Sequence, residues 1–147
     1  MKTIIATFFV ISIFITSSVQ AQSCQISFTS HTNGSVVTSY PEQLAGTAVI
    51  PIGGHLWLLS HLIGFDGWWP QGNSQRVLSG NQWICAVFLG KPGELGKFEV
   101  SAVIVNDQEN AALMSWVSTA QDKGYPPIPF PNALQRCNSV TIAVTKQ

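Results

Sequence analysis

Apolar and polar positions along this chain alternate in short runs broken by turn-forming residues, and the period of those runs changes only once. Gln25–Thr29 alternates polar with apolar, and Asn33-Gly34 is a strong turn dipeptide. Val36–Thr38 predicts a short edge piece. Leu44–Ile50 follows, ended by Pro51 and the Gly53-Gly54 pair. His55–Leu62 is apolar on both faces, the pattern of a central strand. Trp68–Gln71 is short, and Pro70, lacking an N–H for a ladder, confines it to an edge or a bulge. Gln82–Leu89 and Lys97–Val105 are long and rich in β-branched and aromatic residues, and Ser139–Thr145 comes last. Strands of this length, at spacings of roughly 8–12 residues, predict an all-β sandwich or barrel.

The change of period comes at Asp107–Lys123. Leu113, Trp116, Val117 and Ala120 recur at helical spacing, so this segment predicts a helical insert before the last strand. Asn106 or Asp107 can cap its N-terminus, Glu109 is acidic in the first turn, and Gly124 can supply the stop. The Pro-rich run at 125–131 then predicts a stiff, extended connector that carries the chain back across the fold.

The first residues lie outside this pattern. Lys2, the apolar run Ile4–Ile15 and Val19-Gln20-Ala21 have the form of a secretory signal peptide, expected at 1–21 with the mature chain starting near Gln22. The apolar run is shorter than the ~20 residues that span a bilayer. Cys24 sits where a lipoprotein would carry its lipidated cysteine, but Ala21 and Gln22 fit a lipobox poorly. A secreted or periplasmic single domain at 22–147 is therefore expected, with no integral membrane segment after cleavage. Without Lys2 the chain has six basic and seven acidic residues, a formal charge of −1. That balance offers no basic field for nucleic acid and no polybasic patch for a membrane surface.

Compartment decides how the three cysteines are read. In an oxidising space they suggest one disulfide and one leftover, with three pairings possible. Cys24 opens the first strand and Cys137 precedes the last. If first and last strands run side by side and parallel, both cysteines lie at one end, which favours Cys24–Cys137. Cys85 lies mid-strand and reads as a small buried hydrophobe.

The succession LAGTAVIPIGGHLWLL, GWWPQG, NQWICAVFLG and GELGKFEVSAVIVND resembles a small β-sandwich module of bacterial and archaeal exported or surface proteins. The likeness runs from about Gly34 to Val144. It implies an Ig-like, antiparallel, non-catalytic module and transfers no catalytic residues. The chain departs from the pattern in carrying its own cysteines.

Candidate chemistry centres on GFDGWWPQG. On a strand, Trp68 and Trp69 point to opposite faces, so one ring enters the core and the other meets water, a groove or the helical insert. A free ring is a stacking platform for a sugar or for a partner's aromatic anchor, with Gln71 and Asp66 as hydrogen-bonding groups. Trp57, Trp83 and Trp116 are assigned to the core. His55 and His61 are about 20 Å apart on an extended strand and cannot share an ion, and His31 has no partner nearby in sequence. No metal and no cofactor are expected. No nucleophile elbow, phosphate loop or paired-histidine motif is present, and Glu94 and Glu99 form no evident carboxylate pair. Asn33-Gly34-Ser35 matches a glycosylation sequon but is explained as a turn. The expectation is a binding module whose ligand is a glycan or surface polymer at the Trp68/Trp69 edge, with a protein-binding module as the alternative.

Overall fold

A computed structural model describes residues 23–71, 75–77 and 79–147. The expected signal peptide at 1–21 and the mature start at Gln22 lie outside the described residues. Nine strands form two sheets: β1 (Gln25–Phe28), β2 (Ser35–Val37), β3 (Glu42–Val49), β4 (His55–Leu62), β5 (Trp69–Pro70), β6 (Gln75–Val77), β7 (Gln82–Val87), β8 (Gly96–Val105) and β9 (Val140–Lys146). Among the described residues the one α-helix, α1 (Asp107–Ala120), lies before the last strand. The sheets run β1-β3-β7-β6 and β2-β9-β8-β4-β5. This is the strand order of an immunoglobulin-type sandwich, with the first strand's path shared between the sheets. All strand pairs are antiparallel except β2 with β9, which is parallel. The pattern of short runs located eight of the strands. It missed β6, which is three residues long in a polar segment.

Alternation along the strands builds the core. Leu56 and Leu58 of β4, with Phe98, Val100, Ala102 and Ile104 of β8, turn inward against Leu44, Ala48, Trp83, Cys85 and Val87 of the facing sheet. Trp83 is 1% exposed and lies opposite Gly46 in the β3–β7 register, with Phe28 edge-on at 5.3 Å. A Cβ at Gly46 would overlap both Ser27 O and the Trp83 ring. The glycine of LAGTAV is there because the indole lies over it.

The disulfide joins Cys24 to Cys137 as expected, with Cα atoms 5.1 Å apart, and Cys85 is buried outside any disulfide. The reasoning behind that pairing needs correction. The first and last strands are not neighbours: β1 pairs β3 in one sheet, and it is β2 that runs parallel to β9 in the other. The bond therefore staples the two sheets together at one end, across the gap that the first strand leaves when it changes sheets.

A third layer covers the outer face of the five-stranded sheet. Trp57, Leu59, Val103 and Val105 point away from the sandwich interior and meet Leu113 of α1, flanked by Val117, Trp68, Ile128 and Phe130. This second cluster explains why β4 and β8 are apolar on both faces. Asn106 caps α1, its side chain accepting from Glu109 N–H at 2.9 Å. The helix is shorter than the expected 107–123. After Ala120 the chain turns through Gly124 (φ 72), closed by Tyr125 N–H on Ala120 O and Gly124 N–H on Gln121 O. That pair of bonds is a Schellman-type stop. Trp116, expected in the core, is half-buried instead and donates Nε1 to Pro126 O at 2.9 Å.

Candidate functional site

The Trp68/Trp69 edge is built around the Pro-rich connector. Prolines keep their carbonyl acceptors but have no N–H, so donors must come from elsewhere. In Pro126–Pro129 only Ile128 can donate. Ile128 N–H bonds Trp68 O at 2.9 Å, and Trp68 N–H bonds Ile128 O at 2.8 Å, which covers the sheet's edge beside β5. Side chains supply the rest: Trp69 Nε1 donates to Tyr125 O at 3.0 Å and Trp116 Nε1 to Pro126 O. Trp57 Nε1, nearer the helix start, donates to Asn110 Oδ1 at 2.9 Å. Trp57 and Trp69 thus fasten the helix and connector to the sheet, and Trp116 ties the helix to the connector.

The two adjacent tryptophans are covered by the layer that the connector forms with α1. Both are half-buried. The Trp68 ring stacks on His61 (centroids 4.9 Å, 27°) and meets Phe130 edge-to-face at 4.9 Å. Gln71, expected as a ligand contact, is buried. Its Nε2 donates to Ser60 Oγ and Trp69 O, and its Oε1 accepts from Phe88 N–H at 2.7 Å. An amide so engaged links β4, β5 and the end of β7, and is not presented to a ligand. Asp66 alone of the four expected contacts is exposed, in the turn after β4.

Each histidine has its own partner. His55 Nε2 lies 2.7 Å from Asp107 Oδ1, His61 Nδ1 lies 2.8 Å from Gly67 O, and His31 Nε2 lies 3.5 Å from Glu42 Oε1. Among the described residues no three His, Cys, Asp or Glu side chains converge as a metal site. Among the described residues no helix is long and apolar enough to cross a membrane.

A feature that sequence patterning did not single out lies at the end of the sandwich where β4 and β7 finish and β8 begins. Phe65 and Leu95 are 62% and 67% exposed, and Ile63, Phe88 and Tyr40 are exposed beside them. One hydrogen bond ties a loop to β8 and another joins two loops. Ile63 N–H bonds Lys97 O at 3.1 Å, and Tyr40 Oη donates to Gly90 O at 3.3 Å. Tyr40 also meets Phe88 edge-to-face at 5.6 Å. Beneath them Lys146, only 4% exposed, donates Nζ to Leu89 O and Lys91 O at 2.7 Å each, with the Tyr40 ring 4.6 Å from the ammonium. The available signal was apolar residues inside turn segments, IGFDG and FLGKPGELG, where no core position requires them.

Comparison of the chain with protein-family models, with curated proteins and with solved structures finds no match.

Proposed function

We propose that this protein is an exported, non-catalytic binding module that recognises another protein through the loop end carrying Tyr40, Ile63, Phe65, Phe88 and Leu95. The observation that carries the reading is the exposure of five large apolar side chains on three loops at this end of the sandwich, two of them joined by the Tyr40–Gly90 hydrogen bond. Large apolar groups gathered on a rigid surface mark interaction sites. Their chemistry favours a protein partner. Ile63 and Leu95 are aliphatic and give no flat face for a sugar ring. Exposed Asp66, Lys91 and Lys97 surround them with both signs of charge, the polar rim of a protein interface rather than the basic belt of a membrane-surface site. The glycan platform at Trp68/Trp69 is the weaker reading, because those rings and Gln71 are committed to holding the connector.

The test places a benzophenone side chain at position 65, or at position 115 on the exposed face of α1 as a control, and irradiates the protein where its source secretes it. A discrete cross-linked protein at 65, absent at 115 and lost on Leu95→Ser, is the expected result. Equal labelling at both positions would refute the loop end as an interface. Protection of tryptophan fluorescence by a polysaccharide, with no cross-link at 65, would return the function to the Trp edge.

A further inference from the structure

We infer that the open side of the sandwich, between β1 and the first half of β9, is a binding site for an acidic sugar, with Arg136 holding its carboxylate. The cleft exists because the first strand changes sheets. β2 pairs only Val144–Lys146 of β9, and Asn33-Gly34 extends that edge by one residue, accepting from Ala143 N–H and donating to Ala143 O. Upstream of Ala143 no described strand pairs with the edge of β9 that faces away from β8. Thr141, two residues earlier, turns its N–H and C=O to the same open side, as antiparallel alternation requires. The result is a cleft of about 380 Å³ beside the disulfide, within the volume range of small-ligand sites.

Its lining suits a polyhydroxylated monoanion. Arg136, Asn138, Gln25, Ser27 and Thr47 present one cation, two amides and two hydroxyls, over an apolar floor from Ile26. Hydroxyls and amides both donate and accept, which is what sugar hydroxyls require. Ser27 Oγ and Thr47 Oγ1 already bond each other at 2.7 Å, which fixes their orientation and leaves each a further lone pair. The guanidinium forms no hydrogen bond or ion pair with any described residue. Its planar fork matches a carboxylate bidentately, and a single cation balances a monoanion.

The backbone at Arg136 adds a second, independent observation. Its φ is 70°, the left-handed region that side chains other than glycine's rarely adopt. The turn that imposes this is tight, with Cys137 N–H bonding Leu134 O at 2.8 Å, and Cys137 is anchored to Cys24. Glycine would fit the turn better. Arg136 thus stands exposed at the cleft in a conformation that glycine would adopt more readily, with no partner among the described residues.

The experiment is a ¹H–¹⁵N titration of the purified, disulfide-bonded protein with D-galacturonate, D-galactose and acetate. Galacturonate is expected to shift the amides of Gln25–Ser27, Thr47 and Asn138 saturably, with galactose and acetate each at least about tenfold weaker. Arg136→Gln should weaken galacturonate at least about tenfold. Arg136→Gly should do the same while melting no lower than the parent, since glycine adopts the turn without strain. Galactose binding as tightly as galacturonate would overturn the role of Arg136. Acetate binding as tightly would overturn the sugar and leave a bare carboxylate, such as a peptide terminus, as the ligand. Absence of saturable shifts at about 50 mM, far past millimolar affinity, would overturn the site itself. Because the cleft lies on the side of the sandwich and not at its loop end, none of these outcomes bears on the protein interface.

Discussion

Gly46→Ala is the most demanding single-atom test of the core. The added Cβ meets two obstacles, Ser27 O on one side and the Trp83 ring on the other. Ser27 O is backbone within a paired strand, since Ser27 lies opposite Thr47 in the β1–β3 register, so it moves only if β1 shifts. The indole is walled in by Phe28 and the buried residues of the facing sheet. Overpacking a filled core ordinarily costs about 1–3 kcal/mol. The other route is expulsion of Trp83, which forfeits a contribution of about 3–5 kcal/mol. With backbone blocking one side and the largest core ring the other, the substitution should cost about 3 kcal/mol or more, out of a total stability of about 5–15 kcal/mol. Guanidinium unfolding followed by far-UV circular dichroism measures this without using Trp83 as its own reporter. The midpoint should fall with the slope unchanged. In a Trp83→Leu background the same alanine should cost about 1–2 kcal/mol less, the remainder belonging to Ser27 O. A loss below about 1 kcal/mol in the parent protein would show that β1 yields easily, and the account of the LAGTAV glycine would fail.

Other predictions follow from the polar contacts. Reducing the disulfide, or Cys24→Ser with Cys137→Ser, should destabilise by about 4 kcal/mol, because the bond closes a separation of 113 residues; thermal melts with and without reductant measure it, and Cys85 should resist alkylation until the protein unfolds. Asn110→Leu leaves Trp57 Nε1 buried without its acceptor and should cost about 1–3 kcal/mol, with faster amide exchange in α1 ahead of the sheets. Gln71→Leu removes the acceptor for Phe88 N–H and the donor to Ser60, so it should cost about 1–3 kcal/mol in a denaturant melt. A Gln71 variant of unchanged stability would mean that the amide is free to serve a ligand after all.

Legibility in the sequence tracked how much of a feature is local. Eight strands were readable because alternation and Pro/Gly punctuation are properties of neighbouring residues, and α1 because its period departs from theirs. β6 was not, since three residues cannot display a period. The apolar character of both faces of β4 and β8 was visible, but not its cause, a helix and a connector folded over the sheet. The Trp pair was visible as an anomaly, but not what covers it: the acceptor for the Trp69 indole is a carbonyl 56 residues on, at Tyr125. The disulfide was expected from an adjacency of terminal strands that does not occur, and the same pairing arises because the first strand spans both sheets. Arg136 gave no signal, since a left-handed backbone angle in a non-glycine residue leaves no mark in sequence.

The placement of the helix also explains where recognition is possible. A sandwich has two outer sheet faces, its open edges and two loop ends. Here α1 and the connector occupy the outer face of the five-stranded sheet, and Ile128 pairs with Trp68 beside β5, so the edge next to the tryptophans is closed as well. The residues that look most like binding groups in the sequence are consumed in that closure. Two of the places that stay open are the loop end with its apolar cluster and the side between β1 and β9. One owes its exposure to loops that no layer covers, and the other to a strand that changes sheets. If the connector were loosened, for instance by Ile128→Pro, which removes the only backbone donor in Pro126–Pro129, Trp68 would lose its edge pairing and both tryptophans would become accessible. Acrylamide quenching of that variant should then exceed the parent's. A glycan that bound the variant and not the parent would show that the tryptophan platform is chemically competent but sealed by the fold.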